Sequence, residues 1–213
     1  MEQEVSIAPV GLPGTLALPE AARGVILFAH GSGRGRTSPR NGRVATALRQ
    51  AGYGTLLFDL LTVDEAKDRA NVFDVHLLAE RMLHATRQVR EHPAASDLPI
   101  GYFGASTGAA AALIAAARAA EHHHVHAVVS RGGRPDLADV WLDGVAAATL
   151  LIVGGDDAPV LELNRQAYER LHGDKALDIV PGAGHLFDEP GALDAVIGAA
   201  TAWFDAHLPS LDA

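Results

Sequence analysis

Three kinds of residue in this chain could together perform nucleophilic chemistry at a carbonyl carbon: Ser106, an aspartate at position 156 or 157, and His185. A serine hydroxyl does little at neutral pH until a base removes its proton, and imidazole has the proton affinity for that task. A carboxylate on the far ring nitrogen orients the imidazole and offsets its charge once it is protonated. Ser106 lies in Gly104-Ala105-Ser106-Thr107-Gly108, straight after the apolar run Ile100–Phe103 and before a run of alanines. Strand, tight turn and helix in that order make a G-x-S-x-G elbow, which strains the serine backbone and pushes its hydroxyl beyond the sheet edge. Glycine is needed on both sides because a Cβ would collide with the neighbouring strand and helix. The helix start aims free N–H groups and a positive dipole end at the serine, which suits a developing oxyanion.

With 22 glycines in 213 residues, such a motif also arises in ordinary strand-to-helix turns, so the elements around it must decide. Residues 4–8 and 14–18 read as a hairpin at a sheet edge, joined by Gly11-Leu12-Pro13-Gly14, with prolines tolerated there. Gly24–Ala29 is a continuous apolar run, the pattern of a strand buried on both faces. A polar loop through Asn41 and a helix over 44–50 follow. Strands are expected at 55–59, 127–130, 149–153 and 177–180, with helices at about 73–90, 160–172 and 191–207. Strands alternating with helices imply an α/β fold with a mostly parallel sheet and helices on both faces, and residues 1–213 read as a single domain. In such a sheet ligands bind at the carboxyl ends of the strands. Those ends carry His30 to Asn41, Asp59, Ser106, Arg131, Asp156/Asp157 and His185.

A histidine in a glycine-rich loop is commonly just a surface residue, and paired aspartates after a strand commonly form turns or cap helices. Here all three residue types occupy strand ends in the order nucleophile, acid, base. Glycines 182 and 184 let the backbone swing His185 over the edge. An oxyanion hole is also required. Its expected donors are the backbone N–H of Thr107 and that of Ser32, within His30-Gly31-Ser32-Gly33, with His30 bracing the loop.

The ordered set His30-Gly31-Ser32-Gly33, Ser38-Pro39-Arg40-Asn41, Leu57 to Thr62, the elbow, Val153-Gly154-Gly155 with Asp157, and Gly184-His185-Leu186-Phe187 resembles the dienelactone-hydrolase-related branch of the α/β-hydrolases. The likeness spans nearly the whole chain. It implies the α/β-hydrolase fold, hydrolysis of a carboxylic ester without a cofactor, and Asp157 rather than Asp156 as the acid. The founding members of that branch carry cysteine in the elbow. Ser106 therefore points to a serine carboxylesterase rather than to dienelactone as substrate. Thioesterase, lactonase or acyltransferase chemistry would use the same triad. A non-catalytic binding module on the same fold would show a damaged triad or a blocked oxyanion loop.

Only residues 131–148 separate two successive strands where many hydrolases insert a lid, so no large lid domain is expected. An open, shallow site for small or short-chain acyl groups follows. Arg36, Arg40 and Arg131 sit on strand-end loops and could bind an anionic group by paired hydrogen bonds; the alternative is that they tether loops, Arg40 to Asp59 for example. His122, His123, His124 and His126 lie where a helix ends, away from the predicted edge, and are read as dipole compensation rather than a metal site.

The bulk numbers narrow the partners. A net charge of −9 argues against nucleic acid and anionic membrane. The absence of cysteine removes disulfides, thiolate zinc sites and a cysteine nucleophile. The acidic start Met1-Glu2-Gln3-Glu4 lacks the basic and apolar regions of a signal peptide, and no apolar stretch is long enough to span a bilayer. A cytoplasmic protein is expected, as monomer or small homo-oligomer, acting on a small-molecule ester with no metal.

Overall fold

The computed structural model describes residues 2–32, 35–119 and 124–210. β1 (Glu2–Ile7) and β2 (Leu12–Ala17) pair antiparallel, turning through Gly11 at φ +80. Six further strands follow: β3 (Val25–Ala29), β4 (Gly54–Phe58), β5 (Ile100–Ala105), β6 (Val125–Arg131), β7 (Ala148–Gly154) and β8 (Lys175–Val180). They join the hairpin in one eight-stranded sheet of order β1-β2-β4-β3-β5-β6-β7-β8. β2 meets β4 antiparallel, and every later pairing is parallel. β3, β5 and β7 bury every residue, as strands covered on both faces must.

Alternate side chains of each strand feed opposite faces of the sheet. On one face Phe28, Phe103, Val129 and Ile152 pack with Val44 and Leu48 of α1 (Pro39–Gln50), and with Val196 and Phe204 of the C-terminal helix, Ala192–His207. On the other face Leu27, Tyr102, Val128 and Leu151 pack beneath the remaining helices. These are α3 (Val75–Glu91), α4 (Thr107–Ala119) and α5 (Ala158–Arg170), while the short α2 (Arg69–Phe73) buries no residue. The C-terminal helix is α6. α4 buries every residue from Thr107 to Ala116, and its alanines let the backbone lie close to the central strands. Among the described residues no helix is long and apolar enough to cross a membrane.

Two details differ from the sequence expectations. α1 begins at Pro39 rather than near Val44, because Ser38 Oγ accepts from Asn41 N and Pro39 occupies the first turn. The helix expected from about residue 73 begins at Val75, after the separate α2, because Asp74 accepts from His76 N and Leu77 N and so caps a new start. Residues Pro135–Gly144 form a 3-10 helix broken at Asp139, φ 42 and ψ −122. That segment is too small to be a lid.

Candidate active site

Ser106 stands between β5 and α4 at φ +53, a region that non-glycine residues seldom enter. The conformation is pinned from three directions. Ser106 N donates to Arg131 O at 3.3 Å, while its carbonyl accepts from Ala109 N and Arg134 N, both at 3.1 Å. The elbow glycines are required by close approach: a Cβ on Gly104 would stand 2.5 Å from Ala109 Cα, and one on Gly108 2.5 Å from His30 O.

The loop after β8 carries His185, and the turn after β7 carries Asp157. His185 Nδ1 lies 2.7 Å from Asp157 Oδ2. Asp157 occupies the N-cap position of α5, yet its side chain caps nothing. The carboxylate is turned to the histidine instead, beside a helix N-terminus that favours its charge. Asp156 is exposed. The His185 loop is held by Glu189, whose Oε1 accepts from Gly184 N at 3.0 Å. Ser106 and His185 wall the same pocket of about 290 Å3. Among the described residues no hydrogen bond joins them; catalytic hydrogen bonds of this kind often tighten only around substrate.

His30, Gly31 and Ser32 form the opposite wall. His30 Nε2 accepts from Leu60 N at 3.0 Å, so the ring proton sits on Nδ1, 3.0 Å from Gly31 O. Burial pushes the His30 pKa below its ordinary value, in keeping with a neutral ring that braces this loop against the end of β4. Gly33 lies outside the described residues. Thr107 N belongs to the first turn of α4, where a helix N–H has no intrahelical acceptor.

The structure separates the three arginines. Arg36 is turned away from the pocket: its N donates to Asp59 Oδ1 at 2.7 Å, and its guanidinium lies 3.7 Å from both Asp59 Oδ2 and Glu4 Oε2. It does not wall the Ser106 pocket, and these carboxylates hold it as a loop tether, the alternative the sequence also offered for the arginines. Arg40 and Arg131 do wall the Ser106 pocket. Arg40 pairs with Asp188 at 2.8 Å, not with Asp59. Arg131 is 8% exposed, its Nε has no hydrogen-bond partner, and among the described residues no carboxylate lies within ion-pair distance. Burial and the nearby Arg40 pull its guanidinium down to about 10.

Sequence reasoning named Phe187 only as part of the family-like run after His185, without a role, and did not find Asp188. Phe187 is buried at φ +54, under the Arg131 guanidinium, and Asp188 holds Arg40. Asp188 had no signal beyond its place three residues after His185. Of the histidine group, His122 and His123 lie outside the described residues; the rings of His124 and His126 meet edge to face at 4.4 Å. Among the described residues no three metal-ligating side chains converge.

No family model matches the chain. Two Mycobacterium tuberculosis proteins, each named "Putative phosphoribosyl transferase", are 54% identical to it over 207 residues, 97% of this chain. The chain spans only 46% of their length. The dienelactone hydrolase of Anabaena variabilis is 51% identical, with a TM-score of 0.92 over 98% of this chain and 99% of that one. Est1E from Butyrivibrio proteoclasticus shares the fold at 15% identity, with a TM-score of 0.79 over 96% and 98% of the two chains. With half its residues identical to those of the Anabaena hydrolase along nearly the whole of both chains, and with a closely superimposable backbone, this chain belongs to the dienelactone hydrolase-related branch of the α/β-hydrolases.

Proposed function

We propose that this chain is a serine hydrolase that cleaves small carboxylic esters through an acyl-enzyme, and that the acyl part of its substrate is anionic. The observation that carries the reading is the 2.7 Å contact between His185 Nδ1 and Asp157 Oδ2, in a pocket shared with Ser106 at positive φ.

In this reading His185 Nε2 takes the Ser106 Oγ proton as Oγ bonds to the ester carbonyl carbon. The carbonyl π electrons move to oxygen, which Thr107 N–H and Ser32 N–H receive. Collapse of the intermediate breaks the bond to the alkoxy oxygen, which leaves with the proton from His185. Water, deprotonated by His185, then attacks the acyl carbon and returns Ser106 to its alcohol form. Asp157 stays ionised throughout and holds Nδ1–H. The negative charge of the acyl group is met by Arg131, because a buried guanidinium with an unpaired Nε gains most from an anion brought into the same pocket.

Hydrolysis of p-nitrophenyl acetate by the wild type and by Ser106→Ala, with fluorophosphonate labelling of both, tests the reading. Turnover and labelling that vanish in Ser106→Ala support it. Neither turnover nor labelling in the wild type would overturn it in favour of a binding module.

The name of the tuberculosis proteins raises phosphoribosyl transfer as a second reading for the longer chains. The serine elbow and His–Asp pair support acyl chemistry in this one. Incubated with phosphoribosyl pyrophosphate and a nucleobase, the chain is expected to release no pyrophosphate; release would move the reading to phosphoribosyl transfer.

A further inference from the structure

A second cavity, of about 600 Å3, lies beside the Ser106 pocket and has no part in the chemistry above. His30, Gly31 and Ser32 wall both spaces, so the loop assigned to the oxyanion lies between them. The far wall comes from the segment after β4, residues 61–73, with Leu78 of α3.

That segment is ordered by polar contacts rather than by burial. Thr62 N donates to Glu65 Oε2 at 2.8 Å and Glu65 N donates to Thr62 Oγ1 at 3.1 Å, a reciprocal cap. Glu65 Oε1 also pairs at 2.7 Å with Arg81, which is buried on α3. Asn71 Nδ2 ties α2 back to Glu65 O at 3.1 Å. Yet neither the 3-10 turn Glu65–Lys67 nor α2 buries a single residue. Core packing therefore does not account for the apolar side chains here. Val63 is 81% exposed and Phe73 47%; with Leu186, 48% exposed beside Ser106, they supply three of the six exposed large hydrophobic residues among those described. Apolar surface gathered at cavity mouths marks a place for an apolar ligand. The two charged side chains in the wall are both engaged. Asp59 is held by Arg36, and the Arg69 guanidinium lies 5.5 Å from the Phe73 ring centroid.

We propose that this cavity is a second substrate subsite, which takes an uncharged apolar group of about benzyl size on the ester, reached across the Gly31–Ser32 loop. The Ser106 pocket alone, at about 290 Å3, is at the small end for an organic ligand, and the neighbouring space receives what it cannot hold. The proposal rests on the ester-hydrolase reading and deepens it: the substrate has a polar end at Arg131 and an apolar end under residues 61–73.

The test compares kcat/KM for ethyl acetate, 2-phenylethyl acetate and ethyl 3-phenylpropanoate, in the wild type, Val72→Asp and Phe73→Ala. The two phenyl esters place the ring on the alcohol or on the acyl side. 2-Phenylethyl acetate, whose ring is on the alcohol side and so opposite the acyl end at Arg131, is expected to be preferred over ethyl acetate by about tenfold or more, with the preference falling severalfold in Val72→Asp and in Phe73→Ala. A wild type without that preference, or a preference that survives both substitutions, would overturn the subsite. Separately, Ser106→Ala protein is titrated with 2-phenylethanol while methyl resonances are followed by NMR. Shifts centred on Leu61, Val63 and Val72 are expected, and their absence would overturn the subsite whatever the kinetics. Shifts without turnover of any ester would keep the apolar site and overturn the hydrolase reading instead.

Discussion

Phe187 lies two residues beyond His185 and sets its ring beneath the guanidinium of Arg131, with 5.7 Å between Cζ and the ring centroid. It does so at φ +54 while only 1% exposed. A bulky side chain is held in that region only where surrounding contacts over-determine it. Gly132, itself at φ +50, completes the arrangement: a Cβ there would stand 3.2 Å from both Phe187 Cε2 and His185 O. One packed contact thus couples the loop of the proposed base to the end of the strand that carries the proposed anion receptor.

Arg131→Ala is therefore expected to raise KM for an ester with a carboxylate in its acyl group by about tenfold more than for its neutral isostere, the size of a charge-assisted hydrogen bond. Arg131→Lys should recover part of the difference. Steady-state kinetics on a matched pair, such as the p-nitrophenyl monoester of succinic acid and p-nitrophenyl 4-methylpentanoate, reads it directly. Equal rises for both esters would remove Arg131 from substrate recognition.

The two adjacent aspartates make opposite predictions. Asp157→Asn leaves the geometry nearly intact but stabilises the wrong histidine tautomer, and kcat should fall by about 10^3 to 10^4. Asp156→Asn removes an exposed carboxylate that does not reach His185 and should change kcat by less than about twofold. Comparable losses in the two variants would contradict the assignment.

The neutral His30 ring predicts a pH effect with a definite sign. Burial lowers its folded-state pKa below the ordinary histidine value of about 6.5, so the unfolded chain binds the proton more readily. Stability from this group is complete above about 6.5 and declines as pH falls below it, toward the folded-state value. Protonation also removes the Nε2 acceptor for Leu60 N, loosening the Gly31–Ser32 loop. Urea unfolding at a series of pH values should show the decline in the wild type and a shallower one in His30→Gln. Identical pH dependence in both would assign the effect elsewhere.

Gly108→Ala tests the packing that aims the elbow. The added methyl would overlap the Ala29 and His30 carbonyl oxygens, forcing α4 away from β3 at a cost of about 1–3 kcal/mol. Thermal or urea unfolding should show that loss, and ester turnover should fall with it, because the same shift displaces His30 and its loop. Unchanged stability would mean that the helix has room the structure does not show.

Much of this arrangement was legible in the chain. Ser106 stood out because a short apolar run, two glycines and an alanine run together leave few other structures, and His185 because glycines flank it at a strand end. Asp157 could be separated from Asp156 only through the family resemblance. In the structure the distinction is that Asp157 takes the capping position of α5 without using its side chain to cap. The partners of the arginines were not legible, since Arg36–Asp59 and Arg40–Asp188 join residues 23 and 148 positions apart and no local pattern encodes such pairs. Residues 61–73 were missed for another reason. Their order comes from the Glu65–Arg81 ion pair and short caps, not from an apolar period, so no helical signal marks them.

The measurement that bears most directly on the central claim is acid-quenched mass spectrometry of the protein mixed with p-nitrophenyl acetate. The account predicts one acetyl group per chain, on the peptide that contains Ser106, formed with the burst of p-nitrophenol and absent in Ser106→Ala. Hydrolysis that continues at the wild-type rate in Ser106→Ala, or an acetyl group found only on other residues, would contradict it.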